Sequence, residues 1–239
     1  MKATDNRTAL ILGISLILGL AVLGYFVQQT ALSYRGFERV VTVKGLAEKE
    51  YPADTVIWPI QFSVAGNDLP ELFATLDKQS QAINAFLVLQ GIDKTGISFS
   101  SPTVIDKKAQ QYGGESNIEF RYLSSQTMTV YSQQVDLVRQ AITKLGELGK
   151  QGIVFNQDPY SNPIEYSFNG LNKIKPDMVE EATKNAREVA QKFARDSQSS
   201  LGKIKRASQG QFSIVSRDSN TPYIKKVRVV STVSYYLND

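Results

Sequence analysis

The run "ALILGISLILGLAVLGYFV", Ala9 to Val27, sets the first limit on what this chain can be. It is about 19 residues long, and Ser15 is its only clearly polar member. As a helix rising about 1.5 Å per residue, it is long enough to cross a hydrocarbon core about 30 Å thick. A core helix of a soluble domain would keep a polar face. This segment is apolar on every face, lies at the N-terminus and leads into the polar stretch "QQTALSYRGFER". Lys2 and Arg7 precede it with Asp5 between them, and Arg35 and Arg39 follow. Positive charge ahead of a first apolar run predicts a cytoplasmic N-terminus and an exported body. Cleaved signal peptides have apolar cores of about 7–15 residues and a small-x-small cleavage site. The longer core favours an uncleaved signal anchor. Cleavage near Ala31-Leu32-Ser33 is the alternative. Ser15 and Gly19 form a small-xxx-small pair, a weak hint of helix pairing. The expected division is a cytoplasmic N-terminus over 1–8, a transmembrane anchor over 9–27, a linker over 28–37 and an exported domain over 38–239.

The 239 residues carry a formal net charge of +4 and contain no cysteine and no histidine. Without cysteine there is no thiol nucleophile, disulfide or CxxC site. Without histidine there is no Ser-His or Cys-His relay, and the usual zinc spheres are gone. Absence of cysteine suits an oxidising compartment. Basic residues come in short clusters, Lys107-Lys108, Lys203/Lys205/Arg206 and Lys225/Lys226/Arg228, too brief for a nucleic-acid stripe. They read as solvated strand ends and loops.

The body alternates strand runs with helices. "RVVTVKGLAE" is β-rich, and in "DTVIWPIQFSV" Val56, Trp58, Ile60, Phe62 and Val64 share one face. Pro59 cannot donate to a ladder, so an edge or a bulge is expected there. Between these runs Tyr51-Pro52-Ala53-Asp54 reads as a turn, with Glu48 and Glu50 facing water. A helix follows over "NDLPELFATLDKQSQAINAFLVLQG". Asp68 and Glu71 offer a capping box, Pro70 sits in the first turn, and Gly91 ends it. Its buried stripe is Leu72, Leu76, Ile83, Phe86 and Leu87.

"GISFSSPTVID" is a strand, and "KKAQQYGGES", Lys107 to Ser116, a polar Gly-rich excursion. "NIEFRYLSSQTMTVYS" is a long strand with Ile118, Phe120, Tyr122, Met128 and Val130 in one parity. The second helix, "QQVDLVRQAITKLGELG", has Ser132 as cap and Val135, Val138, Ile142 and Leu145 on one face. "GIVFNQDPYSNPIEYSF" supplies one or two strands. The third helix, "PDMVEEATKNAREVAQKFARDSQSSLG", repeats Val179, Ala182, Ala186, Val189 and Phe193 at helical spacing and ends at Gly202. Its alanines point to close packing on a sheet. In the last strand Val227, Val229, Val233, Tyr235 and Leu237 share a face. The expected architecture is α+β, antiparallel sheet with helices on one face in the order ββ-α-ββ-α-ββ-α-ββ.

Chemistry is sparse. There is no phosphate-binding Gly-x-x-x-x-Gly-Lys loop, no dinucleotide fingerprint and no calcium-loop spacing. Ser200 and Lys203 match Ser-x-x-Lys, but a helix end at Gly202 accounts for the spacing. Trp58, Tyr122, Tyr235 and Tyr236 could line a ligand groove, although sheet faces and oligomer interfaces need such residues anyway. Asp177, Glu180 and Glu181 fit the first turns of a helix, where carboxylates meet the positive end of the dipole. No catalytic, cofactor-binding or metal residues are assigned, and no cofactor is expected.

Four stretches together resemble the SIMPL-domain family, which includes the YggE-like periplasmic proteins and the periplasmic immunogenic protein. They are the opening "VTVKGLAEKEYPADTV", "FRYLSSQTMTVYSQQVDLVRQAITKLGELGKQGI", "EATKNAREVAQKFARDSQSSLGKIKRASQG" and the closing "VRVVSTVSYYL". In the first the family has a hairpin. The resemblance covers about residues 38 to 238. It implies an α+β envelope protein that builds ring- or channel-like homo-oligomers, with a loose link to stress tolerance and no agreed catalytic residues. The anchored chain would then sit in the inner membrane with its C-terminal domain in the periplasm, or be soluble in the periplasm after cleavage. A non-enzymatic, self-associating protein is the leading expectation. A binding module for an envelope ligand or protein, using Lys107–Ser116 and the aromatic faces, is the alternative. A hydrolase-type enzyme built on carboxylate, Ser, Lys or Tyr alone comes last.

Overall fold

A computed structural model describes residues 3–36, 39–109, 119–156, 158 and 161–238, with backbone alone for 3–8 and 31–36. It opens with α1 (Ala3–Gly36), whose span Ala9–Thr30 contains an 18-residue window of mean hydropathy 2.6. This helix is long and apolar enough to cross a membrane or act as a signal anchor. Its hydroxyls turn inward: Ser15 Oγ donates to the Leu12 carbonyl at 3.0 Å and Thr30 Oγ1 to the Phe26 carbonyl at 2.8 Å. Such bonds would satisfy these two hydroxyls inside a hydrocarbon core.

The rest is α+β, as the strand and helix runs predict. The elements in order are β1 (Val40–Pro52), β2 (Thr55–Gly66), α2 (Leu69–Leu89), β3 (Ile97–Phe99), β4 (Thr103–Asp106), β5 (Tyr122–Ser132), α3 (Val135–Lys144), α4 (Gly146–Gly149), β6 (Val154–Phe155), β7 (Glu165–Ser167), α5 (Leu171–Asp196), β8 (Ser200–Gln209), β9 (Ser213–Ser216) and β10 (Ile224–Asn238). Two compact units form. One holds Met1–Glu48, Lys175–Ser213 and Arg228–Asp239; the other holds Lys49–Ile174 and Ile214–Val227.

Among the described residues there are two sheets. The first runs β1-β10-β8, with β9 also on β10; the second runs β3-β5-β2-β6, with β4 on β5 and β7 on β2. The opening pair is therefore not a hairpin: β1 and β2 are consecutive in sequence but pair in different sheets. The corner at Ala53-Asp54 turns the chain without pairing its two arms.

In the second sheet Val56, Trp58, Ile60 and Phe62 have no exposed surface, as their shared parity predicts. They pack with Leu76, Ile83 and Leu87 of α2 and with Val138 of α3. The Leu72-Leu76-Ile83-Phe86-Leu87 stripe of α2 is its buried face. Asp68 caps this helix by accepting from the Glu71 N–H at 3.0 Å. Gly91 closes it with φ +89, a value that L side chains avoid. Pro59 does not mark an outer strand. It lies on β2, an inner strand, opposite Thr129 in an unbroken β2–β5 register. On the other side of β2, β7 pairs at 55–57 and β6 at 62–63, so Pro59 occupies the gap between two short partners.

Other boundaries move. β5 begins at Tyr122, so Phe120 precedes the strand, and Ile118 lies outside the described residues. Gln134 is the N-cap position of α3; Ser132 instead accepts from the Gln134 N–H at 3.0 Å, two residues ahead of the helix. In the first sheet, α5 starts at Leu171, so Pro176 is inside it. Its buried row is Met178, Ala182, Ala186, Ala190 and Ala194, whereas Val189 and Phe193 are exposed. Alanines win this face because the sheet backbone comes very close. A Cβ on Gly45 of β1 would overlap the Ala182 carbonyl and lie 2.9 Å from the Ala186 Cα. The helix ends at Asp196, and Gly202 lies inside β8.

Candidate functional site

The carboxylates of the opening stretch are held by structural partners. Asp54 accepts from the Asn169 N–H at 2.7 Å and the Gly170 N–H at 3.0 Å, and from the Asn169 side-chain amide at 3.0 Å. It thus holds the approach to the N-terminus of α5, where negative charge is favoured. Glu50 accepts from Arg217 at 3.4 Å, and Arg217 also bonds Asp218 at 3.0 Å. Asp218 further accepts from the Thr221 hydroxyl and from the N–H groups of Asn220 and Thr221. These bonds, the Thr221 hydroxyl first, hold its carboxyl well below the usual carboxylate range. The set ties down the 217–221 turn.

The other candidates separate in the same way. Ser200 Oγ donates to the Asn238 carbonyl at 3.4 Å, and among the described residues no bond joins it to Lys203, so the nucleophile–base reading has nothing behind it. Asp177, Glu180 and Glu181 sit beyond the first turn of α5, so the dipole argument fails for them. Among the described residues no group of three acidic side chains could hold a metal ion. Trp58 and Tyr235 are buried in the cores of different sheets. Tyr122 lies 4.8 Å below the Arg121 guanidinium, and Tyr236 5.5 Å from the Lys205 ammonium. The four aromatics are divided between the sheets. Of the Lys107–Ser116 excursion, residues 110–116 lie outside the described residues.

A feature the sequence reading missed lies beside Pro59. A half-open cleft of about 370 Å³ is lined by Pro59, Pro163, Ile164, Tyr166 and Pro222, with Asn162. Asn162 Nδ2 donates to Gln61 Oε1 at 3.0 Å. Tyr166 meets Tyr223 edge-on at 6.1 Å, and the Arg139 guanidinium lies 3.4 Å from the centre of the Tyr223 ring. Burial raises the Tyr166 phenol above its ordinary pKa, so it stays a neutral donor. The walls are largely apolar, with the Asn162 amide, the Tyr166 phenol and the Asp158 carboxylate among them, a lining that suits binding. The signal for it was the spacing of Pro59, Pro163 and Pro222, three rings that only the fold brings together.

The sequence matches the family described as SIMPL, protein of unknown function (DUF541), over residues 41–234. The chain belongs to the SIMPL family. No curated protein matches it. The SIMPL match begins at the second residue of β1 and ends within β10, so it takes in both sheets and leaves α1 outside.

Proposed function

We propose that this SIMPL protein is a non-enzymatic, membrane-tethered protein of the inner membrane whose periplasmic domain self-associates. The observation that carries the reading is the position of β1. It is a terminal strand of its sheet, thirteen residues long, and it starts at Val40, soon after α1 ends at Gly36. A long outer strand offers a row of backbone donors and acceptors to another chain. Its exposed side chains include Val40, Thr42 and Leu46, with Lys44 between them. Tethering copies in one plane raises their effective concentration for such pairing. The test is the mass of the full chain in a mild detergent, for the natural sequence and for Leu46→Lys. The natural chain is expected as an oligomer and the variant as a smaller species. A natural chain that stays monomeric at high concentration sinks the reading. A role in envelope or oxidative stress tolerance, drawn from the family resemblance, predicts poorer survival of a deletion strain under peroxide; equal survival removes it.

The Pro59 cleft favours a second reading, capture of an envelope ligand or partner segment without self-assembly. Tyr166→Ala should then abolish partner binding while leaving the oligomeric state unchanged.

A further inference from the structure

We propose that the groove between α5 and β8 is a binding site for a phosphate-bearing polyanion. Its main chamber, about 480 Å³, is lined by Arg187 and Gln191 of α5, Gly202 and Lys203 of β8, and Tyr235 and Asn238 of β10. An adjoining recess of about 460 Å³ shares Gln191 and adds Arg195 and Ser199. Among the described residues no carboxylate lines either chamber. Among the described residues, Arg187 and Lys203 make no ion pair, and Arg195 donates only to the Gln191 carbonyl at 3.4 Å.

Tyr235 points to a ligand independently of the charges. It is 1% exposed, and its hydroxyl is buried without a hydrogen-bond partner although the residue lines the chamber. A buried hydroxyl left unpaired is unfavourable by roughly 1–3 kcal/mol, and an oxyanion acceptor in the chamber would relieve it. Gly202 keeps this end tight: a Cβ there would sit 2.9 Å from the Tyr236 carbonyl oxygen and 3.3 Å from Asn238 Nδ2. Guanidinium groups supply forked donors that match phosphate oxygens, and the lysine adds a point charge. Arg187, Gln191 and Arg195 are spaced i, i+4, i+8 and form one stripe along α5. At about 1.5 Å per residue that stripe is about 12 Å long, more than one phosphate can bridge. The geometry therefore calls for a ligand with several anionic groups in line. This rests on the groove alone and is independent of self-association.

The experiment is calorimetric titration of the full chain in a zwitterionic detergent at about 0.15 M salt, where unspecific charge attraction is screened. The probes are linear polyphosphate, inorganic phosphate and a short-chain phosphatidylglycerol. Polyphosphate is expected to bind more tightly than inorganic phosphate. Arg187→Gln and Lys203→Gln should each weaken it about tenfold, a factor in line with loss of a charge-assisted hydrogen bond. Tyr235→Phe should weaken it several-fold while the thermal midpoint holds or rises. Lys150→Gln, outside the groove, should change nothing. Binding of phosphatidylglycerol in place of polyphosphate would overturn the polyanion reading, because its single phosphate cannot span the stripe. Binding of neither probe, binding indifferent to Tyr235→Phe, or an equal loss in Lys150→Gln overturns the proposal.

Discussion

The Asp54 carboxylate accepts the backbone N–H of Asn169 at 2.7 Å, across 115 positions of sequence. A second oxygen takes the Asn169 side-chain amide at 3.0 Å, and the Gly170 N–H completes the set. The corner between β1 and β2 is thereby locked to the segment that starts α5. Asp54→Ala strips acceptors from two backbone donors near a helix start. Losing such a cap is expected to lower stability by about 1–2 kcal/mol. Asp54→Asn, which keeps one acceptor, should lose less. Urea unfolding of the two variants checks the order; equal stability of Asp54→Ala and the natural chain would falsify the anchoring role.

Gly45 carries a sharper prediction. Its missing side chain leaves room for α5, whose Ala182 carbonyl and Ala186 backbone fill the space. Both obstacles are backbone, so nothing can rotate away. Gly45→Ala must push the helix off the sheet, and overpacking of this kind is expected to cost about 3 kcal/mol or more. Ala186→Gly, by contrast, opens a small gap and weakens the helix by only about 1 kcal/mol. Thermal unfolding ranks the two; a benign Gly45→Ala would mean that α5 does not press on β1 as described.

These residues also show what a sequence can reveal. Asp68, Pro70, Gly91 and the α2 stripe were legible because capping and periodicity are local. The β2 parity was legible for the same reason. The partner of β1 was not. Thr42 meets Ser234 at 2.8 Å over a separation of 192, and nothing near Pro52 or Asp54 encodes that choice. On α5 the larger Val189 and Phe193 outweighed the alanines in the periodicity. The usable signal was Gly45 opposite a four-residue alanine repeat. The polyanion groove was harder still: Ser-x-x-Lys drew attention to Lys203 as a catalytic base, while its neighbours Arg187 and Tyr235 come from other elements.

Exposure on α5 can be tested directly. Phe193 is 55% exposed and Ala190 fully buried. Phe193→Ser is expected within about 0.5 kcal/mol of the natural chain, as for an ordinary surface change. Ala190→Leu inserts three carbons where the helix meets the sheet and should cost about 1–3 kcal/mol. If Phe193 covered another surface of the assembled protein, its serine variant would instead change the mass in detergent at unchanged monomer stability.

The last prediction concerns pH. Arg121 bonds both Asp106 oxygens, its Nε donating to Oδ1 at 3.2 Å and its Nη2 to Oδ2 at 2.8 Å, where β4 ends against the start of β5. The Arg121 bonds hold the Asp106 carboxyl below its ordinary value of 3.8. A carboxylate with a depressed folded pKa adds stability that is fully present above the unfolded pKa. That stability is lost as pH falls through the folded one. The β4–β5 pairing should therefore be indifferent to pH from neutrality down to about 4 and loosen below it. Both side chains are partly exposed, 44% for Arg121 and 27% for Asp106, so the effect is local rather than global. Hydrogen exchange of the Thr103–Asp106 amides reads it. In Asp106→Asn protection, corrected for the intrinsic exchange rate at each pH, should already be lower at neutral pH and no longer respond to acid over that range. Acid-sensitive exchange that persists in the variant would place the titrating group elsewhere.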